Sequence, residues 1–206
     1  MAIESPGYNV SDGSVAGFVK NDSAGNFSFG ESGGAMQLLE TIDVTVPTTS
    51  LTFSGLLGNT DKRYRLVWRI RKDTAPSSPI VRVFIRPNGF TALQRTVIVN
   101  HTTSGATFIT TRNALPIAIS GGVTDPGETF GETLIDAEAR GGTSLGRFFN
   151  TRATHSFPTF GGSMSIRIFG GVWNQNSIEL TSLEIVADAA LAIGPGSSFS
   201  LYKMSV

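Results

Sequence analysis

Two histidines, His101 and His155, and four clustered acids, Glu128, Glu132, Asp136 and Glu138, are the residues with which this chain could do chemistry. A histidine beside a serine would be a general base for acyl transfer, provided a third group orients it. Neither histidine is accompanied by a Gly-x-Ser-x-Gly turn, since Gly161-Gly162-Ser163-Met164-Ser165 breaks that pattern at its last position. Both lie in polar, loop-like sequence, where a solvated surface imidazole is expected. Two separated histidines do not make a zinc site, and a chain without cysteine has no thiolate to complete one.

Glu128, Glu132 and Asp136 recur at a spacing of four, so a short helix over residues 129–138 would align their carboxylates. The loop pattern and central glycine of a calcium site are missing, and a solvated acidic face is the expectation. Two acids across a cleft would suit glycoside cleavage, but the spacing singles out no pair. Gly194-Pro195-Gly196-Ser197 lacks the later glycine and the lysine of a phosphate loop and reads as a turn. Neither metal nor cofactor is expected, and the chain reads as a non-enzyme. Among the tyrosines and tryptophans that could stack on a sugar, Trp68 has the alternation of a core residue. Trp173 follows Gly170-Gly171 and precedes the polar Asn174-Gln175-Asn176, which makes it the candidate for an exposed glycan contact.

The elements that would position these residues are almost all strands. Tyr64, Leu66, Trp68 and Ile70 alternate with Arg63, Arg65, Val67, Arg69 and Arg71, giving one apolar face and one guanidinium face. The same two-residue period runs through Ile42, Val44 and Val46, ended by Pro47, which has no N–H for a ladder. Leu51 and Phe53 share a face in residues 49–55, and Gly58-Asn59-Thr60-Asp61 is turn chemistry. Val81, Val83 and Ile85 face inward in the next strand, and Pro87-Asn88-Gly89 then predicts a hairpin into residues 92–100. Further strands are expected at 106–111, 115–120, 163–169, 178–186 and 198–204, with 141–158 irregular. Met164, Ile166 and Ile168 share a face of the strand over 163–169.

Short strands with no long repeat predict an all-β fold, a jelly-roll or Greek-key β-sandwich over residues 36–206. Residues 1–35 are rich in glycine, serine and asparagine and predict an extended N-terminal arm. Phe27-Ser28-Phe29 forms one short strand in it, and Phe27 and Phe29 are candidate contacts to a neighbour.

Composition points the same way. Hydrophobic residues make up 40% and charged residues 16%, below the roughly 25% charged of an ordinary soluble domain. So weakly charged a surface suits a protein packed against neighbours. Formal net charge is zero, yet residues 1–61 carry seven acids and one base while residues 62–95 carry nine bases and one acid. Complementary segments of this kind attract within or between subunits, and Arg63, Arg65, Arg69 and Arg71 are the candidate interface cations. Zero net charge argues against a nucleic-acid partner. No apolar run approaches the ~20 residues of a membrane span. Nor does the N-terminus have the basic and apolar regions of a secretory signal, so synthesis and folding in a cytoplasm are expected.

Several of these segments resemble a recurring β-sandwich domain of tailed-bacteriophage virion proteins. They are Ser50-Leu51-Thr52-Phe53-Ser54-Gly55-Leu56, Gly58-Asn59-Thr60-Asp61, the strand through 64–69, Thr181-Ser182-Leu183, and Ile193-Gly194-Pro195-Gly196-Ser197 through Leu201-Tyr202-Lys203. The resemblance implies a homo-oligomer, often a trimer, attached to phage capsid or tail proteins in the virion and made in the host cytoplasm. The function it implies is capsid decoration (cement) or a tail-accessory role. The alternative is a receptor- or carbohydrate-binding module of a tail tip or fibre.

Overall fold

The computed structural model describes residues 17–21, 27–31, 36–73, 80–91, 94–102, 105–112, 115–121, 128–139, 141, 146–157, 163–175 and 177–204, several strands by backbone alone. The chain divides into two compact units, Met1–Ala35 and Met36–Val206. In the first, β1 (Gly17–Asn21) and β2 (Phe27–Glu31) pair antiparallel, with Val19 opposite Phe29. Phe27 and Phe29 therefore lie on β2, and their side chains fall outside the described residues.

The second unit starts with β3 (Met36–Asp43), β4 (Ser50–Ser54), a single helical turn α1 (Gly58–Asp61), β5 (Arg63–Arg71) and β6 (Ile80–Pro87). It continues through β7 (Gln94–Thr102), β8 (Gly105–Arg112), β9 (Leu115–Gly121), β10 (Glu128–Asp136), β11 (Arg147–Phe157), β12 (Ser163–Trp173), β13 (Ser182–Ala187) and β14 (Ser198–Met204). One sheet runs β3-β14-β5-β10-β11-β12-β7-β8 and the other β4-β13-β6-β9, antiparallel throughout.

This order is that of a jelly roll. Four antiparallel pairs are nested in the sequence: β3 with β14, β4 with β13, β5 with β10, and β6 with β9. Folding the chain in half makes those pairs, and rolling the doubled ribbon sends alternate pairs to opposite sheets. Two hairpins are added, β7–β8 between β6 and β9, and β11–β12 between β10 and β13. Both widen the sheet that holds β5 and β10. The fold is an all-β sandwich, as the alternation predicts.

The core follows from the two-residue period. Tyr64, Leu66, Trp68 and Ile70 of β5 meet Val81, Val83 and Ile85 of β6, Leu183 and Ile185 of β13, and Phe199 and Leu201 of β14. Gly131 makes room for the largest of them: a Cβ there would stand 2.4 Å from the Trp68 ring. The indole N–H of Trp68 points to Thr133 Oγ1 at 3.4 Å, and Thr133 in turn shares a hydrogen bond of 2.8 Å with Thr151. Between the sheets, Ile85, Leu115, Ile117, Phe149 and Phe169 line a void of about 10 Å³, at most room for one water molecule.

The structure corrects several expectations. Residues 129–138 are not helical: Thr129, Thr133, Ile135 and Ala137 point inward from β10 and its extension, and Glu128, Glu132 and Asp136 lie on the other face. A spacing of four is common to a helix and to one face of a strand, so the acids alone do not discriminate. Residues 141–158 are not irregular but contain β11, whose inward residues Arg147, Phe149, Thr151, Ala153 and His155 mix polar with apolar and hide the alternation. β3 ends at Asp43, leaving Val46 exposed, and β13 begins only at Ser182.

No hairpin joins β6 to β7, which belong to different sheets. Asn88 and Gly89 do take positive φ, but Asn88 is a latch. Its Oδ1 accepts from the Thr181 and Ser182 amides at 2.9 and 3.1 Å, and its Nδ2 donates to the Glu179 carbonyl at 2.7 Å. Asn88→Gly keeps the backbone and removes the latch, at an expected ~1–3 kcal/mol by urea unfolding. Asn88→Ala adds ~1 kcal/mol for the left-handed conformation. Equal midpoints for wild type and Asn88→Gly would remove the latch from the account.

Tyr64 introduces a pH dependence. Burial, then its hydrogen bond to Asp61 Oδ2 at 2.8 Å, raise the phenol pKa well above its ordinary value of 10.0. In the unfolded chain the phenol ionises from about pH 10, while in the fold it keeps its proton. Its stabilisation is therefore complete below pH 10 and is lost as pH rises from there toward the folded value. Unfolding curves at neutral pH and pH 11 are expected to diverge less for Tyr64→Phe than for the wild type.

Candidate functional site

The outward face of the eight-stranded sheet gathers the features that sequence reasoning left apart. Across β5, β10, β11 and β12 the register sets Arg69, Phe130, Thr154 and Ile166 in one row. The next row holds Val67, Glu132, Arg152 and Ile168; the next, Arg65, Leu134, Asn150 and Gly170. Apolar side chains on this face stay open to solvent: Val67 38%, Phe130 44%, Leu134 43%, Phe148 53%, Ile166 44% and Ile168 38% exposed.

The arginines and the acids turn out to be partners. Arg65 pairs with Glu132, Arg69 with Glu128 at 2.7 Å, and Arg71 with Glu128 at 3.1 Å. The Arg69 guanidinium also lies 5.6 Å from the Phe130 ring centroid. Exposed pairs of this kind are each worth only ~0–1 kcal/mol. Their larger effect is to offset part of the charge, three arginines sharing two carboxylates, so the guanidinium stripe is a mixed surface of exposed apolar residues and ion pairs rather than a bare cationic track. Arg63 stands opposite Asp136 in the register, at one end of the face.

Gly170 adds a second observation. It is exposed and outward, its backbone is open to any residue, and no atom lies within 4 Å of where a Cβ would stand. Glycine within a strand costs ~0.5–1 kcal/mol relative to alanine, and no contact among the described residues requires it. A bare strand position of this kind is where another backbone or ligand can approach closely.

The edge of this sheet is less inviting. β3 is exposed along nearly its whole length, but a bulge at the Leu201/Tyr202 step breaks its register with β14. An interrupted edge resists strand addition. Near the Arg63 end, Arg63, Tyr64, Leu134, Asp136, Phe148, Asn150 and Met204 surround a shallow pocket of about 210 Å³.

Two sequence candidates change place. Trp173 is not an exposed platform: it is fully buried, its ring covered by the Arg147 guanidinium at 4.5 Å and by Phe90 at 6.2 Å. The strand continues through Gly170-Gly171 instead of turning there, which carries Trp173 inward. His155 is likewise no surface imidazole but a buried residue of β11, its Nδ1 2.5 Å from Thr129 Oγ1. His101 lies on β7, with its side chain outside the described residues. Among the described residues no group of three or more His, Cys, Asp or Glu is placed to hold a metal, and no helix is long and apolar enough to cross a membrane.

No family model matches the chain, and no curated protein matches it. Among solved structures it is similar to the CBM2 module of the evolved Dit of Lactobacillus casei BL23 phage J-1, at 12% identity and a TM-score of 0.24, covering 93% of this chain and 88% of that one. A second likeness is to the receptor binding domain of botulinum neurotoxin mosaic serotype C/D, at 11% identity and a TM-score of 0.15. There the alignment covers 91% of this chain and 47% of the other. Superpositions this loose establish no shared activity. The class of protein is defined by the strand order and the face: a jelly roll with a filled interior and an outer sheet that mixes exposed apolar residues with ion pairs.

Proposed function

We propose that this chain is a non-enzymatic structural protein of a tailed-phage virion, a capsid decoration or tail-accessory subunit that stabilises the particle through subunit contacts. The observation that carries the reading is the outer sheet face, where Val67, Phe130, Ile166 and Ile168 remain exposed beside the Arg65–Glu132 and Arg69–Glu128 ion pairs. Exposed apolar side chains on either side of β11, with polar and charged groups between them, make a mixed surface of the kind that protein interfaces use. Jelly rolls recur in viral capsid and lectin domains, and the sequence segments resembling phage virion domains fall on β4, α1, β5, β13 and β14 of the sandwich and on the turns beside them.

The mechanism is mass action. A subunit that buries this face across a seam must expose it again before the neighbours part, so particle opening carries the cost of the lost contact. Copies of the chain associate through the same face into a homo-oligomer, and nucleic acid and membrane have no part in the contact. Sedimentation velocity tests this. The wild type is expected to sediment as an oligomer, and Ile168→Lys and Gly170→Arg as monomers that still unfold cooperatively, at the temperature of the dissociated wild type, because both positions lie outside the core. A monomeric wild type, or variants that remain oligomeric, would refute the role of the face.

A further inference from the structure

We infer that Asn88 is a conditional modification site: water deamidates it, through ring closure onto Gly89, only when the segment 179–182 lets it go. This goes beyond the interface reading and does not depend on it, since Asn88 directly follows β6 of the smaller sheet.

Asn88-Gly89 is the one Asn-Gly pair in the chain. In such a pair the Gly89 nitrogen can attack the Asn88 side-chain carbonyl carbon, because glycine has no side chain to crowd the approach. The new C–N bond closes a five-membered succinimide. The Cγ–Nδ2 bond breaks, and the amide nitrogen leaves as ammonia with the proton that Gly89 gives up. Water then opens one of the two imide C–N bonds. Opening at Cγ leaves aspartate; opening at the backbone carbonyl leaves isoaspartate, whose chain runs through Cβ. Only water is consumed.

In the folded chain the reacting atoms are already held. The Gly89 N–H donates to the Arg86 carbonyl at 3.3 Å, and the Phe90 N–H closes the turn onto the Pro87 carbonyl at 3.0 Å. Asn88 Oδ1 accepts from the Thr181 amide and hydroxyl at 2.9 and 3.3 Å and from the Ser182 amide at 3.1 Å. Nδ2, the leaving group, donates to the Glu179 carbonyl at 2.7 Å. Ring closure has to turn this side chain back on its own backbone, which breaks its bonds to 179–182 and frees Gly89 from Arg86. The rate is therefore set by how often the latch opens.

The product does not close the latch again. A carboxylate at position 88 still accepts from the two amides, but it has no N–H for the Glu179 carbonyl, so two acceptors face each other. Isoaspartate also lengthens the backbone of the turn. One opening thus becomes permanent, and the site keeps a covalent record of it.

Peptide mapping by mass spectrometry, after incubating the full chain at mildly alkaline pH, tests the proposal. Conversion at Asn88 is expected to be at least about tenfold slower in buffer than in denaturing urea, the factor that a ~1.4 kcal/mol opening cost imposes. Thr181→Pro removes one amide donor and the hydroxyl, and the folded variant should convert severalfold faster than the folded wild type. Asn88→Asp, the product itself, should unfold at lower urea than the wild type. Equal rates for folded and unfolded wild type would overturn the proposal. So would a folded Thr181→Pro that converts at the wild-type rate, or an Asn88→Asp chain as stable as the wild type. The first and third comparisons need no folded Thr181→Pro, so loss of that variant leaves the test intact.

Discussion

Trp173→Ala is expected to be the most damaging single change in the sandwich. The side chain is fully buried at the end of β12, opposite Arg147 in the register. Truncating a buried tryptophan costs ~3–5 kcal/mol through the cavity it leaves. The ring also gives the Arg147 guanidinium a face at 4.5 Å, and a desolvated contact of that type adds ~2 kcal/mol. Arg147 is itself fully buried and donates from Nη2 to the Ile178 carbonyl, so it is tied in place and cannot easily follow the ring out. Trp173→Phe keeps an aromatic face and should recover much of the loss. Urea unfolding of the two variants checks this. Equal, small losses for both would mean that Trp173 is a surface residue after all.

Trp68→Ala comes next. Its ring takes the space that a side chain at position 131 would occupy, because Gly131 opposite it on β10 has none. With no side chain at Gly131 to move into the gap on that side, the cost should fall at the upper part of ~3–5 kcal/mol. For a chain of this size that corresponds to a fall in Tm of roughly 10–20 °C. Thr133, the partner of the indole N–H, is already bonded to Thr151 and keeps that bond, so the loss is one of packing. A melting curve unmoved from wild type would contradict the core described above.

How much of this was legible varies by strand. β5 could be read residue by residue because its inward face is wholly apolar and its outward face almost wholly arginine. β11 could not, because its inward face holds Arg147, Thr151 and His155, each engaged by tertiary contacts that a local window does not contain. β10 was ambiguous for a geometric reason: Glu128, Glu132 and Asp136 line up in either conformation, and the burial of Thr129, Thr133 and Ile135 between β5 and β11 decides for the strand. Phe130 and Leu134 lie on that same outward face, so no alternation of apolar and polar residues betrayed it.

The topology was legible only as a class. A jelly roll and another Greek key have the same strands and differ in which distant strands pair, and β3 meets β14 from opposite ends of the unit. The site suffered from the same limit. The arginines of β5 and the acids of β10 were each visible as charge patterns, but their mutual neutralisation depends on the register between them. Trp173 was misplaced because the glycine pair before it resembles a turn, whereas in the sheet Gly171 faces inward and Gly170 leaves the outer surface bare.

Cryo-electron microscopy of virus particles carrying this chain bears most directly on what the outer sheet is for. The sandwich should appear in repeated copies, with protein density from an adjoining subunit covering Phe130, Val67, Ile166 and Ile168. Particles that lack the chain, or that hold it with those four residues turned to open solvent, would contradict the structural role proposed for it.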